Sequence, residues 1–162
     1  MPDWRSQSQQ NRSAGAEHSK SQHHAMISPR IEILSDKAAI VERSLDLVVK
    51  RIQSAIADKE LCTISLAGGS TPKPLYEALA GQPIDWDALH IFWGDERYVA
   101  SDHPDSNQRM VRQAWLDKIP IPAANIHPVP TDTSDPQASV DQYETTLQDF
   151  FHVEAKDCPQ FD

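Results

Sequence analysis

A short apolar run, Leu61 to Leu66, stops at Ala67-Gly68-Gly69-Ser70-Thr71-Pro72, and the residues beyond it follow a helical pattern. Strand, two glycines, small hydroxyls, proline and helix together describe a loop built to hold an anion. Glycines let the backbone turn tightly and approach a ligand closely. Pro72 suits the first helical position, where a missing N–H costs nothing. The unpaired N–H groups and positive dipole end of the helix then face whatever sits above the strand, and phosphate is the usual occupant. About 25 residues on, a second run, Leu89 to Trp93, ends in Gly94-Asp95-Glu96-Arg97. Charged groups at the end of a second strand set two loops around one crevice, the place where open α/β sheets bind ligands.

The rest of the chain repeats the alternation. Ile31 to Leu34 reads as a first strand. Ser35 can cap a helix whose apolar stripe is Val41, Leu45, Val48, Ile52 and Ile56. The helix after the glycine loop runs to about Ala80 and is closed by Gly81-Gln82-Pro83. Asp105 or Ser106 can cap a helix with Met110, Ala114 and Trp115 on one face, which Pro120 and Pro122 break. Ile126 to Val129 is a brief strand, and Asp135-Pro136 opens a helix with Val140, Tyr143, Leu147, Phe150 and Phe151 inward. Phe161-Asp162 looks like the entry to a further strand. Strands alternating with helices predict an open, mainly parallel sheet with helices on both faces. Residues 1–25 are rich in Ser, Gln, His and Asn and nearly devoid of apolar residues, which predicts a disordered N-terminal extension before a folded domain spanning 26–162. His18, His23 and His24 belong to that polar stretch, without the acidic or cysteine company of a metal site.

Composition narrows the function. A net charge of −9 argues against nucleic acid and against an anionic membrane surface. It leaves room for a phosphorylated small molecule, because a few local cations and N–H groups suffice for one phosphate. Of the two cysteines, Cys62 falls in the buried strand, as a reduced thiol would. No run approaches the ~20 apolar residues of a membrane helix, and the start lacks the apolar core of a secretory signal. The expectation is a cytoplasmic protein.

Each motif has a plainer reading. The glycine loop lacks the Lys-Ser/Thr of a Walker A loop and the third glycine of a dinucleotide fingerprint. Taken alone, it is a phosphate cradle or an empty tight turn. Asp95, Glu96 and Arg97 form a binding cluster or a surface ion pair. Arg97 offers a planar fork suited to phosphate or a polarised carboxyl oxygen. Asp95 can accept from sugar hydroxyls or orient an imidazole, and Glu96 is solvated or paired. Asn107 and Arg109 either complete the rim or lie on the surface.

Ser65-Leu66-Ala67-Gly68-Gly69-Ser70-Thr71-Pro72 and Ile91-Phe92-Trp93-Gly94-Asp95-Glu96-Arg97 resemble the first two signature blocks of the glucosamine-6-phosphate isomerase/6-phosphogluconolactonase family, on its lactonase branch. Asp102-His103-Pro104-Asp105-Ser106-Asn107 and Ile119-Pro120-Ile121-Pro122-Ala123-Ala124-Asn125-Ile126-His127 resemble its continuation. The likeness runs from about Ile31 to Asp162. It implies a Rossmann-like fold and hydrolysis of 6-phospho-glucono-1,5-lactone to 6-phosphogluconate in the pentose phosphate pathway. It implies a phosphorylated sugar lactone as partner, no metal or organic cofactor, and a monomer. Carried over residue by residue, it makes Asp95 and Arg97 the catalytic candidates, with Gly68, Gly69, Ser70, Thr71, Arg97 and Asn107 binding substrate. An isomerase or deaminase of the same superfamily, a non-catalytic sugar-phosphate-binding protein and a gene fragment are the alternatives.

Hydrolysing a lactone needs a general base, donors for the developing oxyanion and an anchor for the ring. A base near neutrality points to histidine. His90, His127 and His152 sit in or at the ends of regular elements, which leaves His103, in the loop after Arg97. The resemblance implies a different base, from a downstream Asp-Gly-His loop that this sequence does not contain. The chain therefore reads as the N-terminal two-thirds of such an enzyme, C-terminally truncated and lacking the catalytic histidine.

Overall fold

The structure, a computed structural model, describes residues 31–154 and 156–162. The expected N-terminal extension lies outside them. By contact the chain divides into Met1–Ile33 and Leu34–Asp162. In the first unit only Ile31 to Ile33 are described, and they form no strand. Ile31 and Ile33 are 83% and 94% exposed. This corrects the expected strand from Ile31 to Leu34: a four-residue alternation becomes a strand only where a neighbour supplies a ladder, and none of the described strands pairs with it.

The second unit alternates helix and strand: α1 (Lys37–Lys59), β1 (Cys62–Leu66), α2 (Lys73–Leu79), β2 (Leu89–Trp93), α3 (Asn107–Ala114), β3 (Ile126–His127) and α4 (Pro136–Phe151). The strands form a parallel sheet in the order β1-β2-β3. Asp36, rather than the expected Ser35, caps α1 and accepts the Ala39 N–H at 2.9 Å. Ser35 donates its hydroxyl to the Asp36 carboxylate instead. Ser106 caps α3 and Asp135 caps α4. Pro72, expected as the first helical residue, is the N-cap residue of α2, one place before the helix starts at Lys73. The brief third strand covers only Ile126 and His127.

Strand period decides which helix packs on which face. Cys62 and Leu66 of β1 with Leu89, Ile91 and Trp93 of β2 share a buried core with Ile52 and Ala55 of α1, Tyr76 and Leu79 of α2, and Val111 and Ala114 of α3. Trp115 closes this layer, stacked on Tyr76 and edge-on to Trp86. The alternate residues face α4. Phe92 is fully buried, stacks on His127 at 4.3 Å across the ladder, and meets Phe150, Phe151 and Phe161 edge-on or tilted. Helices thus cover both faces. Val140, expected inward, is 55% exposed, and Ser139 takes the buried place beside it. The outer edge of β1 is bonded by Asp162, whose N–H donates to the Thr63 carbonyl and whose carboxylate accepts the Thr63 N–H and hydroxyl.

Candidate functional site

Both motif loops leave the sheet at the carboxyl ends of adjacent parallel strands. Each begins under a tyrosine. The Tyr76 hydroxyl of α2 accepts the Ala67 N–H and donates to the Ala67 carbonyl, at 3.2 and 2.9 Å. The Tyr143 hydroxyl of α4 does the same to Trp93, at 2.9 Å each way. These bonds satisfy backbone groups where each strand stops pairing, a need that buried polar groups impose. Sequence reasoning missed Tyr76 and took Tyr143 for core. The available signal was a phenol on a helix covering the sheet, since a buried tyrosine hydroxyl usually finds a partner.

The two glycines of the first loop are required for different reasons. Gly69 has φ +94°, a conformation side chains rarely adopt, and faces open space. At Gly68 a Cβ would lie 1.7 Å from Asn107 Oδ1, so the close neighbour is the first residue of α3. Asn107 is 4% exposed, and its Nδ2 donates to the Asp95 carbonyl at 3.0 Å. One side chain therefore joins the two motif loops. Ser70 and Thr71 are exposed, and their hydroxyls bond nothing among the described residues.

In the second loop Asp95 and Arg97 are exposed, and neither side chain makes an ion pair among the described residues. The Asp95 charge is felt at Tyr76: burial pushes that phenol's pKa up, the Ala67 bond opposes it, and Asp95 adds a smaller upward push. Glu96, expected to be solvated or paired, is the most heavily bonded of the three. One oxygen accepts the N–H groups of Arg97 and Asn107 at 2.7 Å each, and the other accepts Gln108 N–H at 2.8 Å and the Ser106 hydroxyl at 3.4 Å. No local spacing rule marks a residue eleven positions before the helix whose first N–H groups it accepts. Arg109 is half-buried, and its N–H is taken by the Ser106 hydroxyl that caps α3.

The histidines lie elsewhere. His103 accepts the Asp105 N–H on Nδ1, and its ring sits 3.8 Å from the Asp105 carboxylate. His90 Nδ1 and His127 Nε2 are 3.1 Å apart on the α4 face of the sheet. Burial lowers both pKa values, and His90 lowers His127 further. His152 is exposed and ends α4 in a left-handed conformation. A cleft of about 430 Å³ lies beside β3 and α4, lined by Gln108, His127, Asp132, Gln142 and Thr146 among others; none of the expected site residues lines it. Among the described residues, no three His, Cys, Asp or Glu side chains gather as a metal site. No described helix is long and apolar enough to cross a membrane.

The comparisons with known proteins agree on one family. Residues 35–162 match the family model described as glucosamine-6-phosphate isomerases/6-phosphogluconolactonase. A 6-phosphogluconolactonase from Synechocystis sp. is 54% identical over 136 residues, 84% of this chain and 57% of the relative. One from Nostoc sp. is 52% identical over 132 residues, 82% of this chain and 55% of the relative. Among solved structures, 6-phosphogluconolactonase from Trypanosoma cruzi superposes with a TM-score of 0.71 at 30% identity, covering 86% of this chain and 58% of that one. The chain spans a little over half the length of these relatives.

Proposed function

The chain belongs to the glucosamine-6-phosphate isomerase/6-phosphogluconolactonase family, and from that membership we propose that its Leu34–Asp162 unit carries the sugar-phosphate side of a 6-phosphogluconolactonase site. The reaction is hydrolysis of 6-phospho-D-glucono-1,5-lactone. Water adds to the C1 carbonyl, the bond from C1 to the ring oxygen breaks, and the ring oxygen takes a proton to give 6-phosphogluconate. In this reading the backbone N–H groups of Gly68 to Thr71, with the Ser70 and Thr71 hydroxyls, hold the phosphate. Arg97 stabilises charge on the phosphate or at the developing oxyanion. Asp95 accepts from sugar hydroxyls. Asn107 serves the same site by joining the loops. A cytoplasmic monomer acting on a free metabolite fits the acidic chain.

The observation that carries the reading is the bridge from Gly68 through Asn107 to the Asp95 carbonyl. It brings together the two loops at the carboxyl ends of β1 and β2, the end at which doubly wound sheets bind ligands. The described histidines are paired with one another, turned to Asp105 or at the end of α4. We therefore expect this chain to bind product and to accelerate lactone hydrolysis little. A missing general base typically costs ~10²–10⁴ in rate. Calorimetry with 6-phosphogluconate, glucosamine 6-phosphate and fructose 6-phosphate, beside a lactone assay read against spontaneous hydrolysis, tests both parts. Preference for either of the other two sugars sinks the lactonase assignment. Acceleration by several orders of magnitude would make His103 the first residue to replace.

A further inference from the structure

Of the three charged residues after β2, two have side chains without bonds of their own. Among the described residues, the Arg97 side chain has no hydrogen bond or ion pair, and Asp95 is fixed only through its carbonyl. Their placement must be inherited. Glu96 ties the loop to the first turn of α3 by accepting Arg97, Asn107 and Gln108 N–H groups on one carboxylate. On the other side of Arg97, the Tyr98 hydroxyl donates to the Thr133 carbonyl and meets the Thr133 hydroxyl, which also reaches the Asp135 carbonyl and Ser139. Arg97 thus sits between an anchor on α3 and an anchor on the segment leading into α4.

We propose that Glu96 is a positioning residue: its carboxylate seats Asn107 against Gly68 and Asp95 and fixes the backbone from which Arg97 meets the ligand. The proposal rests on the sugar-phosphate reading of the crevice. Both oxygens of Glu96 are acceptors in use, and a carboxylate presents acceptors only. Glutamine would keep one accepting oxygen and turn an NH₂ group toward an N–H donor. Charge-assisted bonds of this type are the strong ones, so the loop loses its fixed geometry while the helix and sheet persist.

The test is calorimetric affinity for 6-phosphogluconate, measured well below the unfolding temperature. Glu96→Gln is expected to raise Kd about tenfold or more, as losing one charge-assisted hydrogen bond does. In an Arg97→Lys background the same change should cost much less, because Glu96 acts through Arg97. Asp36→Ala, which removes the cap of α1, a bond shared with neither motif loop, is expected to lower stability and leave Kd within about twofold. An unchanged Kd in Glu96→Gln, or an equal loss with and without Arg97→Lys, overturns the proposal. If Glu96→Gln does not fold, Tyr98→Phe weakens the other anchor, and an expected rise of about threefold replaces the first readout; no rise overturns the two-anchor account. If the wild-type chain binds no 6-phosphogluconate, the lactonase reading fails separately. Positioning is then decided by amide exchange, which should be at least about tenfold faster at Arg97, Asn107 and Gln108 in Glu96→Gln. Equal exchange there overturns it.

Discussion

The loops after β1 and β2 begin alike and are held differently. Each starts under a tyrosine hydroxyl that closes the last backbone pair of its strand. Beyond that point the first loop is shaped by glycine conformation and by the volume a Cβ would need. The second is shaped by side chains, with Glu96 tied to α3 and Tyr98 tied to the segment before α4. A loop defined by backbone geometry shows itself in the residues of the loop. A loop defined by side-chain bonds depends on where distant elements arrive.

The strongest way to break this contrast is Gly68→Ala. The new methyl would stand 1.7 Å from Asn107 Oδ1, and Asn107 is buried and bonded to the Asp95 carbonyl. It cannot turn away without breaking the bridge. Overpacking of this kind costs typically 1–3 kcal/mol, and we expect about 3 kcal/mol by urea denaturation because the clash involves a buried polar group. A wild-type midpoint in this variant would mean that the loops are not coupled through Asn107.

The clasps come next in size. Tyr143→Phe leaves the Trp93 N–H and carbonyl without their partner, and Tyr76→Phe does the same to Ala67. Unsatisfied buried groups cost about 1–3 kcal/mol, so about 2 kcal/mol is expected at buried Trp93 and about 1 kcal/mol at Ala67, which is exposed and can turn to water. Thermal unfolding should place Tyr143→Phe somewhat below Tyr76→Phe, with both below wild type. A large loss in one and none in the other would end the parallel between the strand ends.

Gly69→Ala is the smaller counterpart of the first test. Nothing lies within 4 Å of the added methyl, so only the φ of +94° opposes it. A left-handed conformation costs roughly 1–2 kcal/mol in a non-glycine residue. If Gly69→Ala proved more damaging than Gly68→Ala, backbone conformation would outrank the contact with Asn107.

These magnitudes explain what could be read from the chain. The glycine loop was legible because its two glycines and its position after a strand are local signals. The parallel sheet was legible because Cys62–Leu66 and Leu89–Trp93 are dense apolar runs separated by helical pattern. Glu96 was not legible, since its bonding depends on α3 returning beside β2. The strand expected over Ile31 to Leu34 failed for the same reason, because pairing is a property of the neighbour. Val140 followed helical period, yet α4 turns Ser139 inward to meet Thr133.

The smallest expected effect is one of pH, and it separates the loops again. His90 and His127 lie on the face that α4 covers: His127 stacks on Phe92 and meets Phe150 edge-on, and His90 is tilted against Phe150. The groups facing them are aromatic or neutral, and burial lowers both pKa values from 6.5. The folded state therefore binds fewer protons than the unfolded state. Stability is fully present above about pH 6.5 and declines as pH falls through the depressed folded values. Asp36, Asp46 and Asp162 are each held below the ordinary 3.8 of an aspartate, so their contribution is lost at lower pH than that at which the histidine effect begins. Protonation loosens α4, and α4 carries Tyr143, while Tyr76 sits on the opposite face of the sheet. Between pH 7 and 5, the amide protection factor at Trp93 should fall more than that at Ala67. A His90→Phe/His127→Phe double variant should remove the difference. Equal falls at the two strand ends would show that the imidazole pair does not govern how α4 holds the end of β2.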